Sequence, residues 1–321
     1  MDETSMHIMT GICAAHWTDE AGGTGCTVIV CPRGAVGAVD VRGGAPATRE
    51  TDLLRPEETV GCLHAVVLSG GSAFGLAAAS GVMNELERAD IGLDVGVAKV
   101  PIVASACLFD LMCGDAKARP GYESGVQAAR AALAADGQEL ASGNVGAGTG
   151  CTVGKLGGPA RAMKAGIGQS VANTGKLVCW AISAVNAVGD VYDPSTQKLI
   201  AGLLDEEGRH IVGSVEALLA QNAEMPLPRT NTTISCIVTN ARLTKAQATK
   251  VGQMSADAYA HTIRPTHTTN DGDTIFVMAT GEVDAEVDVV GVLATSALER
   301  AIVDGALSAR SAYGYTAACE L

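Results

Sequence analysis

The pattern of apolar and polar positions along the chain predicts strands and helices in a mixed order. Apolar, β-branched runs typical of strands lie at residues 26–31, 35–41, 62–69, 95–106, 162–173, 177–188, 232–239 and 274–279. Helical spacing of apolar residues lies at residues 73–88, 125–135, 212–222, 245–261 and 289–308, with a break near Gly305. Regular β-α-β alternation, repeats and a low-complexity linker are absent. We therefore predict one α+β domain spanning residues 1–321, with helices packed outside sheets.

The segments between these elements carry their own signals. A Pro-Arg-Gly turn is predicted at 32–34, and Ser72 is the predicted N-cap of the helix that follows it. Seven glycines make 142–158 a loop or a series of tight turns. Residues 223–230 hold two prolines without periodicity, which indicates an extended connector. The β-branched run that starts at Thr232 follows this connector directly and has the composition of a buried strand.

Composition and charge exclude several classes of protein. The net charge of -13 and the lack of a basic stripe argue against a nucleic-acid partner. No apolar run is long and uncharged enough to predict a membrane span, and the N-terminal residues lack the pattern of a signal peptide. The ten cysteines form no C-x-x-C pair, so neither a zinc site nor a redox dithiol is predicted. Free thiols without a signal sequence favour the cytoplasm.

The sequence lacks complete motifs for cofactor binding, metal binding or a serine nucleophile. The segment around Ser72 misses the G-x-S-x-G pattern because Phe74 replaces the last glycine. Neither a dinucleotide nor a P-loop motif occurs in the glycine-rich loop, and the histidines show no zinc-binding spacing. Asp271 and Asp273 resemble the start of a calcium loop, but the apolar residues 274–280 lack the required oxygen ligands. We predict no metal and no organic cofactor.

Thr232 occupies a position that suits nucleophilic catalysis. A chain cut before Thr232 would present a hydroxyl and a free α-amine at the end of a buried strand. The hydroxyl could then attack, and the amine, with a pKa of about 7.7–8.0, could take its proton. On spacing alone, however, an Asn-Thr pair before a strand is more typical of a turn.

Three longer segments resemble a known family. Residues 39–54 (VDVRGGAPATRETDLL), 66–82 (VVLSGGSAFGLAAASGV) and 230–243 (TNTTISCIVTNARL) are similar to the L-aminopeptidase/D-esterases and β-aminopeptidases, a family that includes the nylon-oligomer endo-hydrolases. The likeness runs from about residue 10 to the C-terminus. It is greatest for the nylon-oligomer branch, in which the chain is cut between Asn and Thr, as it would be here at Asn231 and Thr232.

The resemblance implies a four-layer αββα sandwich of the self-processed N-terminal-nucleophile type. Self-cleavage would yield a large chain, 1–231, and a small chain, 232–321, that stay together in homotetramers or larger assemblies. Thr232 would attack the carbonyl of Asn231 in an N-to-O acyl shift, and water would then hydrolyse the ester. The mature protein would be an aminopeptidase or amidase acting on small peptides, amino-acid amides or linear oligoamides.

The resemblance also assigns partners to Thr232. Asp271 and Asp273 match paired carboxylates near the nucleophile, which would hydrogen-bond its amine and hydroxyl and titrate as a coupled pair. Lys155 matches a lysine that offsets their negative charge, and Asn186 an asparagine that stabilises the oxyanion. Without the resemblance, Lys155 would be a surface lysine, Asn186 a buried polar residue, and the two aspartates part of a turn.

Two alternatives remain open at this point. The same fold and self-cleavage resemble those of ornithine acetyltransferases, which pass the acyl group to an amine instead of water, although their junction differs from NTTIS. A non-enzymatic small-molecule-binding protein built on glycine-rich loops would instead keep its chain intact at 32.4 kDa.

Overall fold

The computed structural model describes residues 9–135, 140–220 and 231–321. The strands in these ranges are β1 (Cys13–Asp19), β2 (Thr24–Val41), β3 (Thr48–Arg49), β4 (Leu63–Ser69), β5 (Leu93–Asp94), β6 (Lys99–Val100), β7 (Val103–Cys107), β8 (Thr152–Val153), β9 (Met163–Lys164), β10 (Ile167–Thr174), β11 (Leu177–Asn186), β12 (Asp190–Tyr192), β13 (Leu199–Ala201), β14 (Thr232–Ala241), β15 (Ile263–Arg264), β16 (Thr274–Val283) and β17 (Thr316–Ala317). The α-helices are α1 (Ala77–Arg88), α2 (Tyr122–Ala134), α3 (Ser214–Ala220), α4 (Lys245–Ser255), α5 (Asp257–Thr262) and α6 (Val287–Leu307). The predicted connector at 223–230 lies outside the described residues.

Strand β2 joins two sheets. Its first half pairs with β1 and β4, and its second half, from Val36 to Val41, pairs with β16. The sequence predicted two strands and a turn here, which is wrong. The chain instead continues through a register shift between Val30 and Ala35, where Gly34 adopts a positive φ of 76°. Such a bulge bends a strand without ending it, so one strand can belong to both sheets.

The strand order places β14 in the middle of the second sheet. That sheet runs β10-β11-β14-β16-β2, and the first runs from β2 through β4 and β7 to β3, with β1 on the other side of β2. β14 is antiparallel to β11 and parallel to β16. All ten of its residues are buried. A β-branched run without alternation is typical of a strand that is covered on both faces.

Helices cover the outer faces of both sheets. Along β4, Ala65 and Val67 pack with α1 and α2, whereas Val66 and Leu68 belong to the central core shared with Ile234 of the second sheet. This alternation is the period of two expected for a strand between two layers. Helices α4 and α6 pack against β2, β10, β11 and β16. The chain is therefore an α+β, four-layer αββα sandwich, as predicted.

Two details of the predicted helices are wrong. Ser72 caps no helix: it adopts a φ of +53° inside a 3-10 turn that precedes α1, and no side chain caps that turn. Helix α6 runs unbroken through Gly305, where an added Cβ would lie 3.1 Å from Gly168 N. The glycine thus allows α6 to approach β10 closely instead of ending the helix. None of the helices in the described ranges is long and apolar enough to cross a membrane.

Candidate active site

Thr232 is the first residue of the central strand β14. Its side chain is buried, and across the antiparallel pair it lies opposite Asn186, the last residue of β11. On the other side, Asn231 forms a parallel bridge with Asp271, just before β16 begins. Because three neighbouring strands begin or end at this edge, the fold collects their polar residues around Thr232.

The peptide group between Asn231 and Thr232 is held by two contacts to its carbonyl oxygen. The Thr232 hydroxyl donates to the Asn231 oxygen, and the Gly272 N–H donates to the same oxygen over 3.2 Å. A Cβ on Gly272 would lie only 2.8 Å from Thr232 Oγ1, so glycine permits this close approach. The hydroxyl therefore lies beside the carbonyl group that it would attack.

Lys155 and Asn186 form a buried pair next to Thr232. Lys155 Nζ donates to Asn186 Oδ1 over 2.6 Å and to the Asn186 main-chain oxygen over 3.0 Å. Thr152 N also donates to Asn186 Oδ1, over 3.1 Å, while Asn186 Nδ2 donates to Phe109 O over 2.9 Å. Lys155 is only 6% exposed, so the surface position indicated by composition alone is wrong.

The local backbone explains why Lys155 enters the interior. Gly154 adopts a positive φ of 68° and lies so close to Gly202 that a side chain would not fit between them. This turn begins a short 3-10 helix at Lys155–Gly157, which directs the lysine toward β11. Burial lowers the pKa of Lys155 to about 7, partly opposed by the negative charge of Asp271.

Asp273 is a fully engaged carboxylate. One oxygen accepts the Thr233 N–H over 2.8 Å, and the other accepts from the Thr266 hydroxyl and the His267 main-chain N–H, both over 3.1 Å. The His267 ring Nδ1 lies 2.9 Å from that same oxygen. Asp273 therefore contacts the amide of the residue after Thr232, where the sequence predicted a contact with Thr232 itself.

Asp271 differs from its neighbour in having a carboxylate oxygen without a partner. Oδ2 accepts the Thr268 N–H over 2.5 Å, but the buried Oδ1 has no hydrogen-bond partner among the described residues. Burial, followed by the nearby charge of Asp273, raises the pKa of Asp271 to about 6. A carboxyl group with such a pKa is a suitable proton acceptor at neutral pH.

Sequence reasoning missed the residues that support Asp273 and β14. His267 has a positive φ of 56° and stacks on Tyr259 with ring centroids 5.5 Å apart. The Tyr259 hydroxyl lies 2.7 Å from Ser235 Oγ and donates to Thr233 O over 3.1 Å. The spacing of the histidines in the sequence fits no metal site and does not mark His267. The density of polar residues at 266–273, directly before a strand, was the signal that could have identified this loop.

Within the described ranges, no group of three or more His, Cys, Asp or Glu side chains is arranged to hold a metal ion. The structure brings Thr232, Asn231, Lys155, Asn186, Asp271 and Asp273 together at one end of β14.

Comparison with known proteins identifies the family. The model of the family described as Peptidase family S58 matches residues 8–319 of this chain. The chain belongs to this family. It is 40% identical over 316 residues to an uncharacterised aminopeptidase of Mycobacterium leprae, covering 92% of this chain and 85% of that protein. It is 33% identical over 277 residues to a 6-aminohexanoate-oligomer endohydrolase of Agromyces sp., covering 84% of this chain and 73% of that protein.

The fold agrees with a solved structure. An L-aminopeptidase D-Ala-esterase/amidase from Ochrobactrum anthropi, described as a variant of the Ntn hydrolase fold, superimposes with a TM-score of 0.65 at 17% identity, covering 94% of this chain and 85% of that one. The family match and the names of the relatives show that this S58 member is a hydrolase that acts on amide or peptide bonds. The non-enzymatic alternative is set aside.

A pocket adjoins the candidate site on the side of Lys155. It is a small, partly open pocket with a volume of about 70 Å³. Its apolar walls come from Phe109, Met112, Pro159, Ala162 and Tyr315, and its polar lining includes Asp110 and Lys155. Asp110 is buried and accepts hydrogen bonds from the Thr24 hydroxyl and the Gly71 N–H. The pocket thus combines apolar surface with a fixed carboxylate.

Proposed function

We propose that the protein cuts its own chain between Asn231 and Thr232 and then uses Thr232 as the N-terminal nucleophile of an amide hydrolase. One observation carries this proposal. The buried Thr232 hydroxyl lies against the carbonyl of Asn231, and the Gly272 N–H donates to that same carbonyl. Nucleophile, target and a donor for the developing oxyanion are thus present before the bond is cut.

The first half of the self-cleavage reaction is an N-to-O acyl shift. Thr232 Oγ1 forms a bond to the Asn231 carbonyl carbon while its proton passes to the free oxygen of Asp271. The negative charge moves to the Asn231 oxygen, where the Gly272 N–H stabilises it. The carbon–nitrogen bond then breaks, and the proton held by Asp271 moves to the nitrogen, leaving an ester and a free amine.

Water completes the reaction. It adds to the ester carbon, the carbon–Oγ1 bond breaks, and the products are a carboxyl group on Asn231 and a free hydroxyl on Thr232. In the mature protein the α-amine of Thr232, with a pKa of about 7.7–8.0, serves as the base. Asn186 then stabilises the substrate oxyanion, and the field of Lys155 favours the deprotonated hydroxyl.

The two products, 1–231 and 232–321, would remain one folded domain. β14 pairs on one side with β11 of the large chain, and β16 of the small chain pairs with β2 of the large chain. These buried pairings hold the fragments together without the peptide bond. We further expect assembly into homotetramers or larger oligomers, and a cytoplasmic location consistent with ten free cysteines.

The substrates are small amides that carry a free amine. The carboxylate of Asp110 lies in the wall of the pocket beside Lys155 and can pair with a substrate ammonium, while the apolar walls accept the rest of the acyl group. This favours aminopeptidase action over internal cleavage of oligoamides. Comparing an amino-acid p-nitroanilide with its N-acetylated form tests this point. Equal rates, or faster cleavage of aminohexanoate oligomers, would contradict it.

Substitution of the nucleophile tests the proposal directly. Thr232→Ala should remove hydrolysis of amino-acid p-nitroanilides, a loss of at least about 10³-fold, because the residue that forms the acyl-enzyme is gone. Thr232→Ser is the matched control, since it keeps the hydroxyl, and should retain measurable activity. Activity of Thr232→Ala at the level of the natural protein would sink the proposal.

A further inference from the structure

Lys164 is a second buried lysine, and the reaction described above does not use it. It lies on β9 and is 0% exposed. Its ammonium group donates to three main-chain carbonyls: Ala165 O over 2.5 Å, Cys151 O over 2.9 Å and Gly148 O over 3.3 Å. No carboxylate lies within ion-pair distance of Nζ in the described part of the chain. A buried charge held only by carbonyls is costly, so its position calls for an explanation.

The contact with Cys151 connects Lys164 to the site. The Cys151 carbonyl and the Thr152 N–H are the two ends of one peptide group. Lys164 binds its oxygen, and its N–H donates to Asn186 Oδ1 over 3.1 Å. β8 and β9 pair in the register Thr152 with Lys164, which fixes this arrangement. An unbroken path therefore runs from the ammonium through one peptide group to the amide of Asn186.

The effect of such a path follows from hydrogen-bond cooperativity. A positive charge on a carbonyl oxygen draws electron density from the peptide and makes its N–H a stronger donor. That N–H, together with Lys155 Nζ at 2.6 Å, draws density from Asn186 Oδ1. The Nδ2 hydrogens of Asn186 then become stronger donors, and in a low-dielectric interior the gain is larger than in water.

We propose that Lys164 is a positioning residue that acts through the peptide group of Cys151 and Thr152 to orient and polarise Asn186 for oxyanion stabilisation. This inference rests on the proposed function, in which Asn186 binds the oxyanion. It explains why Lys164 is buried without an acidic partner. Burial lowers the pKa of Lys164 to about 8, so the ammonium form still predominates at pH 7.

The chain offers a matched control for testing Lys164. Lys245, at the start of α4, also donates to three main-chain carbonyls: Leu53 O, Glu58 O and Val60 O, over 3.0, 2.9 and 3.2 Å. These carbonyls do not belong to the peptide groups that contact Asn186. Lys164→Met and Lys245→Met therefore remove the same kind of contact, but only Lys164→Met removes the path to Asn186.

The measurement is kcat and KM for an amino-acid p-nitroanilide, per mole of cleaved enzyme. Lys164→Met should lower kcat about tenfold with KM within about twofold, because polarisation acts mainly in the transition state. Lys245→Met should keep kcat within about twofold, even if its melting temperature falls. Where Lys164→Met does not fold, Lys164→Gln takes its place: it keeps hydrogen-bond donors, loses the charge and should show the same fall in kcat.

A double-mutant cycle gives a readout that loss of stability alone would not produce. If Lys164 acts through Asn186, adding Lys164→Met to Asn186→Ala should lower kcat no further. The inference is overturned if the Lys164 variants keep kcat within about twofold of the natural protein. It is equally overturned if the two losses multiply in the double variant. The proposed function is decided separately, by the activity of Thr232→Ala and by the intact mass of the natural protein.

Discussion

Two buried carboxylates, Asp190 and Asp271, differ in how their oxygens are engaged, and only Asp271 takes part in the chemistry that we propose. Asp190 is 0% exposed and fully partnered: Oδ1 accepts from Leu203 N and the Ser214 hydroxyl, and Oδ2 accepts the Ser214 N–H. Asp271 is 2% exposed, but its Oδ1 has no partner in the described ranges. Burial raises the pKa of both.

The difference lies in hydrogen bonding, since burial is the same. Both oxygens of Asp190 are engaged by neighbouring donors, so this carboxylate is fixed and stabilises the loop that leads into α3. The buried oxygen of Asp271 that lacks a partner in the described ranges costs stability, and we propose that it is retained because it can accept a proton. The state of each oxygen thus separates the two roles better than burial or pKa direction does.

The largest effect that tests this comparison is expected on the rate of self-cleavage when Asp271 is substituted. Asp271→Asn should slow self-cleavage at least about 100-fold, because the amide cannot take the Thr232 proton. At pH 7 the melting temperature should not fall, since the lost oxygen made no hydrogen bond and the substitution removes a buried negative charge. A time course of intact mass after purification measures the rate. Cleavage at the natural rate would place Asp271 among the structural carboxylates.

The opposite result is expected at Asp190. Asp190→Asn should lower the free energy of unfolding by about 2–3 kcal/mol, because an NH₂ group would face the Ser214 donors. The folded fraction should still cleave itself and hydrolyse substrate at the natural rate. Urea unfolding together with kcat checks both parts. A selective loss of kcat with unchanged stability would reverse the roles of the two residues.

The pH dependence of the self-cleavage rate tests the same comparison through a smaller effect. Self-cleavage needs Asp271 ionised, so its rate should fall about tenfold for each pH unit below about 6. Above pH about 7 it should fall again as Lys155 loses its charge. Asp190→Asn should keep both limbs, and Asp271→Asn should lose the acidic one. A flat profile between pH 4 and 6 in the natural protein would contradict this assignment.

The pKa shift of Asp271 also predicts how the stability of the protein depends on pH. The pKa of Asp271 rises from 3.8 to about 6 on folding, so the folded chain holds this proton more tightly than the unfolded chain does. The contribution of Asp271 to stability is therefore fully present below pH about 4 and is lost as pH rises to about 6. The unfolding free energy of the natural protein minus that of Asp271→Asn should therefore become smaller as the pH rises across that window.

Local patterns were enough to predict β14, because a β-branched run after a proline-containing connector is typical of a central strand. They gave only an α+β domain with helices outside sheets, whereas the αββα layers were predicted from the family resemblance. The continuity of β2 was not predicted, because Pro32 and Gly34 are typical of a turn. The pairing of the second half of β2 with β16 depends on a distant part of the chain and leaves no local signal. Tertiary pairing overrides such signals.

The residues of the candidate site were predicted from the resemblance, but their contacts were not. Asp271 and Asp273 are separated by one residue, yet only Asp273 is fully partnered, since its donors come from Thr233 and from the loop at 266–267. Lys164 gave no signal at all. Its role depends on a two-residue pairing with β8, which no period or motif in the sequence marks.

The central claim is that the bond between Asn231 and Thr232 is cut by the protein itself, and denaturing mass spectrometry of the freshly purified protein tests it most directly. The account predicts two masses, for chains ending at Asn231 and beginning at Thr232, and a single mass for Thr232→Ala. A single intact mass of 32.4 kDa from fully active natural protein would contradict it.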